Sequence, residues 1–473
     1  MVTQTNQELI WKLDAPLPGR IPSGEGNALY LSGGCAHPRQ QIVRLEVTLD
    51  ERSYPLNTLS ITSASDDSST VQGRKCDFWG IIPIYKCTVT VTLEIGLRAT
   101  LRDRTVIDCT IGACTISPHL PIPAAESMSP QAVPGEGDLI AICMASHNPP
   151  LELFQRQIES IRSQTYRNWV CVISDDASSP ETLVQMRNII DRDPRFKLYL
   201  STERLGFYHN FERSLMLAPA QAGYLCLSDQ DDYWGPDKLQ VLLSAIGSDN
   251  ILVYSDARIV DKHGTVLSDT FWTTRKNNYT NFGDLIITNT ITGAASLFPR
   301  SLLEYLLPFP PRVGNLFHDH WIACIALALG NIGYVDRPLY DYVQHSSNLL
   351  GYCEVVSHSS VKSIYYLLLR IVKSSGWEHA REVYFKEVVR LKLIAMTISL
   401  RAGHLITAKK RKILRYIANL DGSLPALAWL TLRGLKDLGK INVTFGTEYS
   451  LTLGVFWKIK NQLEARFSRN SAQ

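Results

Sequence analysis

At 473 residues, with 45% hydrophobic and 20% charged residues, the chain has length for about three domains and the composition of a globular protein. That excludes a wholly disordered chain, a collagen-like repeat and a disulfide miniprotein. The formal net charge of +3 argues against a dedicated nucleic-acid binder. It is a cancellation: residues 1–350 carry 28 Lys+Arg against 37 Asp+Glu, a balance of −9, and residues 351–473 carry 20 against 8, a balance of +12. The basic block reads as a separate functional unit.

Residues 1–120 read as all-β. In CTVTVTLEIGL, Val89, Val91, Leu93, Ile95 and Leu97 alternate with Thr88, Thr90, Thr92 and Glu94, the period of a half-buried strand. IVRLEVTL alternates in the same way through Val43, Leu45, Val47 and Leu49, and RTVIDCTIGACTI adds further strand sequence. Turn-rich clusters such as SASDDSST separate these runs, so a small antiparallel, immunoglobulin-like sandwich is the expected packing. The Pro-, Ala- and Ser-rich stretch 116–137 suits a linker, placed at 121–137.

From 138 to 351 short apolar runs alternate with helical patterns: LIAICM, then LELFQRQIESIRSQ with Phe154, Ile158 and Ile161 at helical spacing, then WVCVI, FKLYL, YLCL and ILVY. This alternation predicts an α/β fold with a mostly parallel sheet flanked by helices, with ligands outside the carboxyl ends of the strands. Residues 352–473, including VKSIYYLLLRIVKSS and AKKRKILRYIANL, read as helical and basic. The ten cysteines form no CxxC pair, which argues against a zinc cluster and for buried free thiols in a reducing compartment. No basic-then-apolar leader opens the chain and no uncharged apolar run reaches about 18 residues, so the expectation is a cytoplasmic protein.

Polar clusters follow the strands. In LSDQDDYW, Asp229, Asp231 and Asp232 repel one another, so the cluster needs a cation or hydrogen bonds. Magnesium or manganese takes few protein carboxylates plus substrate phosphate oxygens, and Asp229-x-Asp231 fits such a site. The plain alternative is an acidic loop with helix caps. In SDDAS, Asp175 and Asp176 could accept hydrogen bonds from a base or ribose, or cap the helix starting near Pro180. SHNPP could be a simple turn. In FHDHW, Asp319 could cap a helix or act as a general base. In YVQHSSN, His345 alone would more often be structural.

Taken together, these segments carry a resemblance. SHNPP, QIESIRSQTYRNWVCVISDDAS, RLGFYHNFERSL, LSDQDDYW, ITGAASLF, FHDHWIA and YDYVQHSSNLLG occur in the order found in family-2 glycosyltransferases of the GT-A fold. The chain resembles most the bacterial branch that includes rhamnosyltransferases of surface polysaccharide assembly. The resemblance covers slightly under half the chain. It implies that Ser146 and Asn148 border the nucleotide, that Asp176 contacts the base beside Asp175, and that Asn210 lies against the sugar nucleotide. Asp229 would hold the ribose, Asp231 the metal, and His345 would approach the metal or diphosphate. Asp319 matches the catalytic base, with His318 where an acidic residue usually stands. Gly293 and Ala294, with Trp234 and His318, would line the acceptor site. In SDDAS, Ala177 replaces the usual Gly.

The resemblance thus implies an inverting transfer from a nucleotide-sugar donor to a glycan or lipid-linked acceptor, assisted by Mg or Mn. One base and one cation suffice for a single displacement, whereas a retaining glycosidase needs two carboxyls flanking the bond. A sugar nucleotidyltransferase would carry an N-terminal Gly-rich basic loop, absent here. A catalytically inactive carbohydrate-binding or scaffold protein would not need Asp229-x-Asp231 or Asp319. The N-terminal sandwich is expected to be accessory. The basic C-terminal helices make a membrane surface a candidate partner, against solvated basic faces.

Overall fold

The computed structural model describes residues 4–5, 9–60, 76–118, 137–272, 277–345, 374–436 and 444–470. SASDDSST, most of the linker and VKSIYYLLLRIVKSS except its last two residues lie outside them.

The N-terminal part has ten strands: β1 (Gln4–Thr5), β2 (Ile10–Leu13), β3 (Arg20–Pro22), β4 (Asn27–Ala36), β5 (Ile42–Leu49), β6 (Arg52–Pro55), β7 (Asn57–Ser60), β8 (Cys76–Ile84), β9 (Val91–Leu101) and β10 (Val106–Ser117). They form two five-stranded sheets, β1-β2-β4-β8-β7 and β3-β10-β9-β5-β6, around one shared core. The alternation in β5 is broken at its start. A bulge between Ile42 and Arg44 turns Ile42 inward and leaves Val43 exposed, while Leu45, Val47 and Leu49 stay buried. Of the residues expected to point inward, Ile95 and Leu97 of β9 are buried, while Val91 at its start and Val89 before it are exposed. The reason is local: pairing with β5 ends at Ile95, so the first residues of β9 have only β10 beside them.

The central part adds β11 (Ile140–Ser146), α1 (Leu151–Arg162), β12 (Trp169–Asp175), α2 (Pro180–Ile190), β13 (Phe196–Leu200), α3 (Phe207–Met216), β14 (Tyr224–Ser228), β15 (Tyr233–Trp234), α4 (Lys238–Ile246), β16 (Asn250–Asp261), β17 (Val266–Ser268), α5 (Phe282–Ile287), β18 (Ser296–Pro299), α6 (Leu303–Leu306), α7 (His318–Leu329) and β19 (Asn331–Gln344). Its sheet runs β13-β12-β11-β14-β18-β16-β19-β15, with β17 on β16. The sheet is mostly parallel, as expected: β13, β12, β11, β14, β16 and β19 share one direction, with β16 parallel to β19. Strands β13, β12, β11 and β14 are mutually parallel, but β18 runs antiparallel to both β14 and β16, and β15 is antiparallel to β19. The run SLFP is too short to reveal its direction from its apolar pattern. In the parallel half, Ser146 and Asp175 are register partners, as are Asp175 and Leu200, so the polar clusters that follow start at one level. Cys143, Cys171 and Cys226 sit on three adjacent strands of this half, buried and unpaired.

The C-terminal part contributes α8 (Ser374–Val383), a π-helical turn (Tyr384–Val388), α9 (Val389–Ala402), α10 (Ala408–Ala418), α11 (Leu424–Lys436) and α12 (Thr444–Asn470). Its apolar residues join those of the central sheet and Trp79 of β8 in one continuous core. Much of its basic charge points inward. Lys392 and Lys458 both bind Asp421, at 2.5 and 2.7 Å, and Tyr384 donates to the same carboxylate. Their two ammonium charges hold Asp421 well below the usual carboxylate range. Among the described residues no helix is long and apolar enough to cross a membrane.

Arg401, fully buried on α9, ties the three parts together. Its Nε donates to the carbonyl of Gly26 (2.6 Å), Nη1 to those of Tyr305 and Leu306 (2.8 and 2.9 Å), and Nη2 to that of Pro308 (2.5 Å). The guanidinium also lies over the Trp321 ring. Gly26 holds φ +143°, and a Cβ there would stand 2.8 Å from that of Leu400. Replacing Arg401 by Met would strip its donor from the carbonyls of Gly26, Tyr305 and Pro308, while Leu306 keeps the Trp321 indole N–H, so urea unfolding of Arg401→Met should show a loss of at least about 3 kcal/mol. Arg401→Lys should recover only part of it, because an ammonium cannot serve four carbonyls in a planar fork.

Candidate active site

The loops after β11 and β12 are stitched together. The Asp176 amide donates to the Ser146 carbonyl (2.8 Å), and His147 Nδ1 donates to that of Asp176 (2.7 Å). Asn148, at φ +39°, accepts from the Ser179 amide (2.9 Å) and donates its own amide to Ser178 Oγ (2.8 Å). Asp175 accepts from the amide and hydroxyl of Ser178, and Ser179, not Asp175 or Asp176, caps α2. Asp176 accepts from the amides of Leu205 and Gly206 (2.5 and 2.9 Å), fixing the loop that opens α3. Ala177 lies at φ +56°. That left-handed conformation is the reason the resemblance places Gly there, since a Cβ is disfavoured.

Asn210 is buried and fully used. It donates to the carbonyls of Ser146 and Ser174 and accepts from Ser174 Oγ. The geometry makes it a brace under the two strand ends. Ser146 Oγ donates to Gln230 Oε1 (3.0 Å), which also accepts from the His147 amide (2.8 Å), so Gln230 joins this loop to the acidic segment.

In the acidic segment, burial and then the charges of Asp231 and Asp319 push Asp229 up to about 7, with Lys238 opposing. Asp232 is buried and raised well above the usual range, first by burial, then by Asp229 and Asp231. One of its oxygens accepts from the Val343 amide (3.3 Å), and the other is buried without a hydrogen bond. Asp231 meets His345 Nε2 at 2.9 Å. Among the described residues, no three His, Cys, Asp or Glu side chains converge as a ready-made metal cage. The adjacent carboxylate of Asp231 and imidazole of His345 fit instead a cation that takes most of its shell from phosphate oxygens and water.

Sequence reasoning missed Lys238. It is buried, donates to the Ala294 carbonyl (2.5 Å), stands over the Trp234 ring at 3.6 Å, and is lowered to about 8 by burial. No motif marked it; it reads as an ordinary residue opening an amphipathic helix. Its position corrects two expectations. Trp234 is fully buried beneath Lys238, and Ala294 is buried with its carbonyl on the same ammonium, so neither side chain is open to an acceptor. Gly293 is buried too: a Cβ there would meet His318 Nε2 at 2.8 Å and Asp319 Cβ at 3.4 Å. His318 stacks on Phe211 with ring centroids 3.7 Å apart, so its packing leaves it no acceptor-facing edge at Nδ1, which is buried without a hydrogen bond.

Asp319 is on the first turn of α7, whose N-cap is Phe317 with no side-chain cap bond, and it accepts from the His320 amide (2.6 Å). It lines a cavity of about 570 Å³. Its charge acts on Asp229, which places the two acidic clusters within electrostatic reach across the site. His320 donates from Nε2 to the Leu285 carbonyl (3.0 Å) and accepts at Nδ1 from Arg390 (2.6 Å).

Burial lowers both His318 and His320 to about 3. An unfolded imidazole binds protons below about 6.5 while these two stay neutral, so stability is complete above that value and falls as pH drops toward 3. Urea unfolding at pH 7 and pH 5 should show this loss. His318→Phe, which keeps a ring on Phe211, should reduce it by roughly 1–2 kcal/mol; an unchanged pH dependence would mean that His318 titrates normally.

Residues 141–307 match the model of the family described as glycosyl transferase family 2. An uncharacterized glycosyltransferase of Haemophilus influenzae is 34% identical over 106 residues, 22% of this chain and 41% of its own. The Escherichia coli UDP-Glc:alpha-D-GlcNAc-diphosphoundecaprenol beta-1,3-glucosyltransferase WfgD is 29% identical over 129 residues, 27% of this chain and 49% of its own. The chain thus spans less than half the length of these curated relatives. The S. aureus TarS 1-349 structure in complex with UDP-GlcNAc aligns over 70% of this chain and 92% of its own, at 12% identity and TM-score 0.39. The central part of the chain is thus similar to glycosyl transferase family 2.

Proposed function

We propose that the protein is an inverting glycosyltransferase of GT-A-like architecture, moving a sugar from a nucleotide-sugar donor to a hydroxyl of a glycan or lipid-linked acceptor. The observation that carries this reading is Asp319, placed at a cavity and within electrostatic reach of Asp229, inside a chain whose central part matches family 2. The donor side is formed by Ser146, Asn148, Asp175, Asp176 and Asp229, with Asn210 bracing it. Asp231 and His345 would hold Mg or Mn, which supplies positive charge for the leaving diphosphate.

In the reaction the acceptor oxygen bonds to the anomeric carbon as the carbon–oxygen bond to the diphosphate breaks. The bonding pair leaves with the nucleoside diphosphate, and the hydroxyl proton passes to the Asp319 carboxylate. His318 beside it stays neutral, so no second charge competes for that proton. The assignment of residues 1–120 as an accessory immunoglobulin-like sandwich, 138–351 as catalytic and 352–473 as a helical unit belongs to this reading.

The name of the WfgD relative specifies a diphosphoundecaprenol-linked acceptor. That supports a lipid-linked acceptor here and a place in surface polysaccharide synthesis. A peripheral position on the cytoplasmic membrane face is supported by the exposed Lys409, Arg411, Lys412 and Arg415 of α10 and the exposed Leu424 and Leu432 of α11.

Two variants test the chemistry. Asp319→Asn should lower transfer by at least 100-fold while nucleoside diphosphate binding by calorimetry stays near wild type; near-normal turnover would remove Asp319 from the role. Asp231→Ala should abolish the manganese dependence of nucleotide binding, and an unchanged dependence would place the cation elsewhere.

A further inference from the structure

The cavity beside Asp319 has two walls from distant parts of the chain. One side carries Asp319 and Thr292 of the central part, and the opposite side carries Glu387, Arg390, Thr447 and Ser450 of the C-terminal helices. The two sides are locked together. Glu387 accepts from Asn315 Nδ2 (2.8 Å) and from Arg390 (2.6 Å), and Arg390 donates to His320. The Phe317–Trp321 segment, with Asp319 in it, is therefore gripped on both flanks by the π-helical turn and α9. Gly314 permits this docking: it holds φ +56°, and a Cβ there would lie 2.0 Å from the Lys386 carbonyl oxygen.

The lining chemistry selects a ligand class. The aromatic side chains of Phe271, Phe317 and Tyr342 line it together with hydroxyl and amide residues. The guanidinium of Arg390 is neutralised by Glu387, so this wall offers directional hydrogen bonds without an uncompensated positive charge for a phosphate. A neutral ring with hydroxyls at its edge and an apolar C–H face fits such a cavity, whose volume is within the usual range for small ligands.

We propose that this cavity is the acceptor subsite, that it receives a neutral pyranose at the end of the acceptor saccharide, and that the C-terminal helices supply its rear wall through Glu387, Arg390, Thr447 and Ser450. The inference rests on the glycosyltransferase reading above.

Saturation-transfer NMR on the full chain tests it, with a panel of neutral methyl pyranosides as probes and calorimetry with nucleoside diphosphates on the same samples. Wild type should bind at least one pyranoside. Ser450→Trp and Thr447→Trp, which fill the cavity, should weaken that binding at least five-fold and leave nucleotide binding intact. Leu463→Trp, on the exposed side of the same helix, should change neither. Two filling variants are used so that a folding defect in one leaves the other to decide. Equal pyranoside binding in a filled, nucleotide-binding variant overturns the location, and nucleotide binding without any pyranoside binding overturns the ligand class. Pyranoside binding that is lost on filling, in a wild type that binds no nucleotide, would keep the cavity and remove the transferase reading instead.

Discussion

The arrangement depends on one buried cation. Among the described residues no carboxylate forms an ion pair with Arg401; four backbone carbonyls from two distant segments share its guanidinium. Burial lowers its proton affinity to about 9, opposed by Tyr208 and by the charges of Glu212 and Glu25, and it stays charged at neutral pH. A guanidinium taken out of water costs several kcal/mol, so the fold keeps it only where each donor finds an acceptor. Because these acceptors belong to the strand-connecting turn at Gly26 and to the Tyr305–Pro308 segment, satisfying Arg401 also fixes how the sandwich, the central sheet and α9 meet.

A second constraint acts at the site. Three aspartates in four positions follow β14, and the fold does not separate them. It buries Asp232 under conditions that favour its neutral form, gives Asp231 a histidine, and sets Lys238 where its charge opposes the rise in Asp229. Lys238 is itself held by a carbonyl and two aromatic faces rather than by an ion pair. The acidic loop is therefore neutralised in part by a cation from the next helix, leaving the Asp231 carboxylate and His345 imidazole for a diphosphate-bound metal.

The sequence made much of this readable because polar clusters followed apolar runs at regular intervals. Ser146, Asp175 and Ser228 stand at strand ends for that reason. What resisted reading was direction and depth. A four-residue strand carries no signal of its orientation, so the antiparallel β18 was invisible. Trp234 and Ala294 sit in motifs that suggest a surface role, but Lys238 buries both, and no local pattern shows which neighbour will cover a side chain. Ile42 was displaced by a single bulge. The basic block misled in a different way: Lys392, Lys458, Arg390 and Arg401 look like surface charge in a count but are consumed inside the fold, while α10 presents a basic strip outward.

The long reach of Arg401 also bears on the order of synthesis. Its bond to Gly26 joins residues 375 apart in sequence. The β-sheets and the parallel half of the central sheet are made of contacts between nearby segments and can form as the chain emerges from the ribosome. Their mutual seating cannot be fixed until α9 has been made. A chain stopped before residue 401 would thus present finished parts with a loose joint, its Tyr305–Pro308 carbonyls still awaiting their donor.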